Sequence, residues 1–181
     1  MRTPVTAAVM LCLVLSTCGP VPSLHPLYTQ SDLVFEPALL GTWTSNNGQE
    51  RNTLTFERQG DRGYKTVFTE KSTSTGLAIH LVRLGAYSFF DVYPARRMDG
   101  GLAVSTHFFC KVLIERDSLR LAYLDETWLQ NKLKDGSVKL AHEFVDSDLV
   151  LTASTKDLQQ FVMRHAEDEE AFPDPGVFHK Q

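Results

Sequence analysis

Cysteine is scarce in this chain of 181 residues, which contains only Cys12, Cys18 and Cys110. Two of the three lie within the first 18 residues, ahead of any folded domain, so Cys110 is left alone. An intrachain disulfide within the domain is therefore excluded. A domain of this length buries enough core to fold without one.

Positive charge and long apolar runs are also lacking. The 18 Lys and Arg residues are outnumbered by 22 Asp and Glu, for a net charge of −4, so the chain has no excess of cations to neutralise a phosphate backbone. We therefore expect no nucleic-acid partner. The apolar run over 5–15 is shorter than the roughly 20 residues that span a bilayer as a helix.

Motifs for catalysis and metal binding are missing as well. The six His residues form no His-x-His or His-Glu-x-x-His spacing, and no Gly-x-Ser-x-Gly elbow is present. Cys110 and His107, three apart on one predicted strand, face opposite sides. Cys110 instead shares a predicted face with Phe108, Val112 and Ile114, which indicates a core thiol. We expect no cofactor, no metal and no enzyme activity, with an unrecognised hydrolase as an alternative.

The N-terminus reads as an export signal, because Arg2 precedes the apolar run and Cys18 closes it. The segment Leu15-Ser16-Thr17-Cys18 resembles the lipobox of bacterial lipoproteins, which implies a lipid on Cys18 and attachment to a membrane of the cell envelope. Gly19 is not the Asp of an inner-membrane retention signal, so the resemblance favours the outer membrane. Ordinary signal cleavage with secretion, and a buried N-terminal helix, are the alternatives.

The rest of the chain alternates like short β-strands separated by turns. We predict a first strand that begins at Leu40 and further strands over 52–57, 64–70, 77–84, 87–93, 106–115, 118–124 and 148–153. Helices are predicted over 125–133 and after Ser154. This pattern indicates a mainly β fold: an antiparallel barrel of about eight strands with two short helices in the C-terminal half. The predicted divisions are a signal peptide (1–17), a lipidated Cys and tether (18–36), the barrel domain (37–166) and a flexible acidic tail (167–181).

Two further resemblances support this interpretation. Gly41-Thr42-Trp43 resembles the Gly-x-Trp that opens the first strand of lipocalin-like barrels, which implies that Trp43 plugs one barrel end. The N-terminal Leu24-His25-Pro26-Leu27-Tyr28-Thr29 and the later Leu151-Thr152-Ala153-Ser154-Thr155 look like segments of a group of uncharacterised bacterial lipoproteins. That second resemblance implies lipidation but no particular activity.

The aromatic residues indicate where a ligand would bind. Phe is abundant, with 11 residues, and Phe68, Phe89 and Phe108 each lie on a strand that can send a ring inward. Arg83, on one face with Leu77, Ile79 and Leu81, is the polar candidate at the rim, and a surface Arg whose charged end extends into solvent is the alternative. Asp91, between aromatic residues, is predicted to face outward or to cap a turn before Pro94.

We therefore predict a membrane-anchored envelope lipoprotein that binds a small apolar ligand or a segment of an envelope protein. The alternative is a structural or assembly scaffold that binds no small ligand because side chains fill its barrel. No oligomeric state is predicted.

Overall fold

Eight antiparallel strands close into a barrel in the computed structural model, which describes residues 20–47, 50–95, 106–173 and 175–181. A short strand, β1 (Leu33–Val34), precedes the barrel. The barrel strands are β2 (Gly41–Asn47), β3 (Glu50–Gln59), β4 (Gly63–Glu70), β5 (Thr73–Leu84), β6 (Tyr87–Pro94), β7 (Phe108–Ile114), β8 (Ser118–Tyr123) and, after the elements of the outer layer, β11 (Gly176–Lys180). The predicted eight-stranded, mainly β barrel is confirmed.

Each strand from β2 to β7 pairs antiparallel with the strand that follows it along the chain. Tight turns make this possible: Gly60 and Gly85 adopt positive φ angles of 62° and 60° between consecutive strands. β5 is long enough to pair with β4 through its first part and with β6 through its second part.

The strand that closes the barrel is β11, which pairs with β8 on one side and β2 on the other. The prediction of a flexible tail over 167–181 is thus corrected, because 176–180 belongs to the barrel wall. The predicted last strand lies elsewhere: β10 (Asp148–Leu151) pairs with β9 (His142–Val145) in a separate two-stranded sheet.

An outer layer packs against one side of the barrel. It contains α1 (Glu126–Lys134), the β9–β10 hairpin and α2 (Thr155–His165). Side chains cap both helices, since Asp125 accepts a hydrogen bond from the Trp128 N–H and Ser154 accepts one from the Asp157 N–H. Within the part of the chain that is described, no helix has the length and apolarity needed to cross a membrane.

The N-terminal segment 20–36 lies on the barrel and does not extend as a tether. Val21, Leu27 and Leu33 are buried, and β1 pairs with β5. Ser23 exchanges two backbone hydrogen bonds of 2.8 Å with His107, just before β7 begins. The predicted tether over 18–36 is corrected for its described part, because its apolar side chains bury surface against the domain.

The buried side chains form two cores. One fills the barrel interior from the closed end and includes Trp43, Phe56 and Leu81. The other lies between the outer face of β6 to β8 and the outer layer, and it includes Phe89 and Leu129. Because both faces of β6 and β7 are covered, both of their alternating sets of side chains are mainly apolar, with Asp91 and Lys111 as polar members of the outward set.

Candidate functional site

One end of the barrel is sealed by Trp43. Its side chain is fully buried, and its indole Nε1 donates a 2.8 Å hydrogen bond to the Leu39 carbonyl, in the short 3-10 helix Pro37–Leu39 that crosses this end. Tyr64 fills the space beside it, and the Tyr64 hydroxyl is hydrogen-bonded to the Glu36 backbone. The prediction that Trp43 is buried at a closed end is confirmed.

Lys180 covers the same end from the last strand. Its Nζ lies 5.2 Å from the centre of a Trp43 ring and donates a 2.6 Å hydrogen bond to the Ala38 carbonyl. A cation over an indole face is attracted by the ring's π electrons. The contact joins β11 to the start of β2, so it fastens the seam that closes the barrel.

The opposite end contains an apolar cavity of about 410 Å³. This volume is within the range of ~300–1,000 Å³ that small-molecule sites occupy. Inward-facing side chains of seven barrel strands line it: Leu54, Phe68, Leu77, Ile79, Phe90, Val92, Cys110, Leu121 and Phe178. Asp125 and Pro173 lie at its edge. Within the described residues, the barrel interior is therefore filled at the closed end and hollow at the other end, which we call the open end.

Few polar atoms face this cavity. Asn52 lies on the inward face of β3, in line with Leu54 and Phe56, and its Oδ1 is buried without a hydrogen-bond partner among the described residues. Tyr123 and Asp125 also line the cavity, whereas the buried Thr66 on the inward face of β4 is not among the lining residues. Buried acceptors that bond neither protein nor water are rare, so the Asn52 position favours a polar group or water in the cavity.

The barrel wall is open beside Asn52. β2 and β11 pair only through Thr44 with His179 and Trp43 with Lys180, whereas β2 and β3 pair along seven residues. Beyond that short ladder, the strands border a second pocket lined by Ser45, Asn46, Asn52 and the first part of β11. Asn52, Gly176 and Phe178 line both this pocket and the interior cavity. The cavity thus meets the second pocket at the side of the barrel, where β2 and β11 are paired over only two residues.

Cys110 lies in the cavity wall with its thiol buried. Its side chain is 1% exposed, and burial raises the pKa of the thiol to about 12. At neutral pH the thiol therefore stays protonated, and a protonated thiol is a poor nucleophile. The predicted core position of Cys110 is confirmed.

The predicted ligand contacts are placed in four different environments. Phe68 lines the cavity. Phe89 is buried on the outer face of β6, with its ring 6.1 Å from that of Phe172, because its neighbour Phe90 takes the inward position. Phe108 pairs with Val92 and so lies on the same face of the sheet as Cys110, and it borders a groove with Pro22 and Val145.

Arg83 is exposed near the β5–β6 turn, at the closed end of the barrel and away from the cavity. The interior assignment of Phe89 and Arg83 is thus corrected, whereas Phe108 is on the inward face of β7 but is not among the residues that line the cavity. Cys18, the predicted lipidation site, lies outside the described residues.

A second polar cluster lies on the outer barrel wall beneath the N-terminal segment. Asp91 is fully buried and accepts two hydrogen bonds of 2.7 Å, one from the Leu27 N–H and one shared with His107 Nδ1. Its predicted outward direction is correct, although the segment 20–28 then covers it. Ser23 is hydrogen-bonded to His107 through the backbone, and its hydroxyl donates to the His25 carbonyl and not to the His107 side chain. The pair therefore fastens the N-terminal segment and has no hydroxyl nucleophile bonded to it in the described chain.

Aromatic rings surround this Asp–His pair. The Tyr28 ring lies 4.7 Å from that of His80, and Tyr93 lies between His80 and His107. Burial, together with the Asp91 charge, raises the pKa of Tyr28 to about 12, and burial lowers the pKa of His80. Both groups are thereby held neutral near pH 7, which suits a packed structural contact.

Several cavity residues were not predicted. Asn52 continues the alternation of Leu54 and Phe56, so that pattern alone would have placed it inward. The sequence did not show which of Phe89 and Phe90 faces the barrel interior. Adjacent side chains on a strand face opposite sides, and both faces of β6 are buried. No sequence pattern indicated that Phe178 faces the cavity, because it lies in a segment without clear alternation of polar and apolar residues.

Compared with family models, with curated proteins and with solved structures, the chain matches none. The function must therefore be inferred from the geometry of the barrel itself.

Proposed function

We propose that this protein binds a small apolar molecule inside the open end of its barrel, and that a lipid on Cys18 anchors it to the bacterial cell envelope. The observation that carries the first part is the cavity of about 410 Å³ between Phe68, Phe90 and Leu121. An apolar ligand gains about 25 cal/mol for each Å² removed from water, before ordering costs. No catalytic step is part of this proposal.

The cavity also suits a binding role because the rest of the barrel is rigidly packed. Trp43, Tyr64 and Phe56 fill the closed end, so a ligand has one defined depth to which it can enter. A preformed cavity lowers the ordering cost of binding. A scaffold role needs no such space, and for that reason binding is the function the geometry favours.

The anchor would hold the open end close to the membrane. Val21 is already buried against the domain, three residues after Cys18, which allows a separation of only about 10 Å at roughly 3.3–3.6 Å per residue. Ser23 pairs with His107, next to the open-end start of β7. Apolar molecules in the membrane would therefore be near the cavity.

Titration with the neutral fluorophore N-phenyl-1-naphthylamine tests binding. The protein carries Cys18→Ala, so that no lipid competes for the probe. We expect saturable binding that weakens at least tenfold in Leu77→Trp, which puts an indole into the cavity. Val67→Trp is the matched control, since Val67 lies one strand away on the outward-facing set of β4. Equal binding by both variants, or no binding by the parent, would rule out the cavity as the site.

The anchor is tested by fractionation. The unaltered chain should pellet with membranes and carry an added acyl mass, whereas Cys18→Ala should lose both properties. Cys110→Ala is the control, and it should remain membrane-bound. A Cys18→Ala protein that stays in the membrane fraction at unchanged mass would contradict lipidation.

A further inference from the structure

The polar border of the cavity points to the chemical class of the ligand. Among the described residues that line the cavity there is no Lys, Arg or His, and Asp125 places a carboxyl group at the edge. An anionic head group would find no counter-charge among these residues. Among the described lining residues, the carboxylate of a free fatty acid at neutral pH therefore finds no cation to pair with.

The border does offer an unsatisfied hydrogen-bonding group. Oδ1 of Asn52 is buried and bonds nothing in the described chain, at the point where the interior cavity meets the pocket between β2 and β11. A ligand hydroxyl can donate, so it satisfies the buried Oδ1. An ether oxygen only accepts, and it cannot satisfy Oδ1.

We infer that the ligand is a neutral amphiphile whose apolar chain lies between Phe90 and Leu121 and whose hydroxyl head binds Asn52 at the weakly paired seam of β2 and β11. This inference rests on the proposed binding function and names its ligand class. The seam gives the head group access to solvent, because β2 and β11 share only two paired positions. A long-chain alcohol or a monoacylglycerol has this chemistry.

Displacement of bound N-phenyl-1-naphthylamine by three ligands with the same chain tests the inference. Decan-1-ol, decyl methyl ether and decanoate are compared at pH 8, where the carboxyl group is ionised. Decan-1-ol should bind about tenfold more tightly than either of the others, which corresponds to about 1.4 kcal/mol. Decanoate binding as tightly as decan-1-ol would overturn the inference, since a cation outside the described residues would then serve the head group.

Two variants locate the preference. Asn52→Leu should remove the advantage of decan-1-ol over the ether while the ether still binds, whereas Thr53→Leu, on the opposite face of β3, should keep it. Asp125→Asn should improve decanoate binding severalfold, and it retains a residue that caps α1 well. An unchanged alcohol preference in Asn52→Leu would contradict the assigned head-group site.

The outcomes separate the two proposals. If no ligand displaces the probe and the probe itself does not bind, the binding function fails. If the three ligands displace the probe equally, the cavity binds apolar molecules and only the hydroxyl preference fails. Melting temperatures of all variants without ligand show whether each one is folded.

Discussion

The two ends of the barrel are built from the same eight strands, yet one is solid and the other hollow. At the closed end, the segment that enters β2 crosses the barrel, so Leu39 and Trp43 are drawn into the interior and Lys180 covers the indole. At the open end, the inward positions carry Leu54, Leu77 and Val92, and these leave about 410 Å³ empty. Strand number alone does not decide whether a barrel is filled; a crossing segment and its anchor do.

The largest expected effect comes from emptying the closed end. Trp43→Ala should lower the free energy of unfolding by about 3–5 kcal/mol, because it creates a large void and removes the hydrogen bond to Leu39. Phe68→Ala at the open end should cost about 1–2 kcal/mol, since Phe68 already borders empty space. Urea denaturation of both variants measures the difference. Equal losses would mean that the ends do not differ in packing.

The next effect concerns the N-terminal segment 20–28, which covers Asp91 on the outer barrel wall. Asp91→Ala should cost about 2–3 kcal/mol, because it leaves the Leu27 N–H and His107 without a buried partner. Asp61→Ala, at an exposed turn, should change stability by less than about 0.5 kcal/mol. Hydrogen exchange should show faster exchange at Leu27 in Asp91→Ala. Unchanged protection of that amide would refute the anchoring role.

A smaller effect is expected at the seam of the closed end. Lys180→Met keeps most of the side-chain length but removes the cation over Trp43 and the bond to Ala38, at a cost of about 0.5–2 kcal/mol. Lys156→Met, on the exposed surface of α2, serves as the comparison and should be neutral. If the two substitutions have the same effect on the urea midpoint, Lys180 does not stabilise the seam.

The smallest expected effect on stability near neutral pH comes from Cys110. Because this residue lines the cavity, the reactivity of its thiol is a probe of access to the cavity. Because its folded pKa of about 12 lies above the ordinary value near 9, the folded state holds the proton more tightly. The resulting stability is present below pH 9 and lost as the pH rises toward 12.

Cys110 should thus react slowly with iodoacetamide at pH 7.5, and more slowly when decan-1-ol is present. The stability difference between the parent and Cys110→Ala should shrink above pH 9. Rapid alkylation at pH 7.5 would show that the thiol is exposed or activated.

The sequence predicted the repeating part of the barrel well. Strands from β2 to β8 follow alternating side chains and short turns, and Gly41-Thr42-Trp43 located the closed end. These signals are local, and therefore they survive in a single sequence. Burial of Cys110 followed from the same alternation.

The closing strand and the cavity wall depend on long-range contacts that the sequence does not show. β11 is mostly exposed and begins with Gly176, whereas the more apolar 148–151 pairs with its own neighbour β9. Likewise, nothing local distinguishes Phe89 from Phe90 when the outer layer buries one ring and the barrel buries the other. Only one of the four predicted ligand contacts, Phe68, therefore lines the cavity.

The most direct test of a hollow, ligand-binding end is a crystal structure of the protein with 10-bromodecan-1-ol. The account predicts a single anomalous bromine peak deep in the barrel, between Phe90, Ile79 and Cys110, with the hydroxyl beside Asn52. A bromine peak in the outer groove beside Phe108, or a barrel interior filled by side chains with no ligand density, would contradict it.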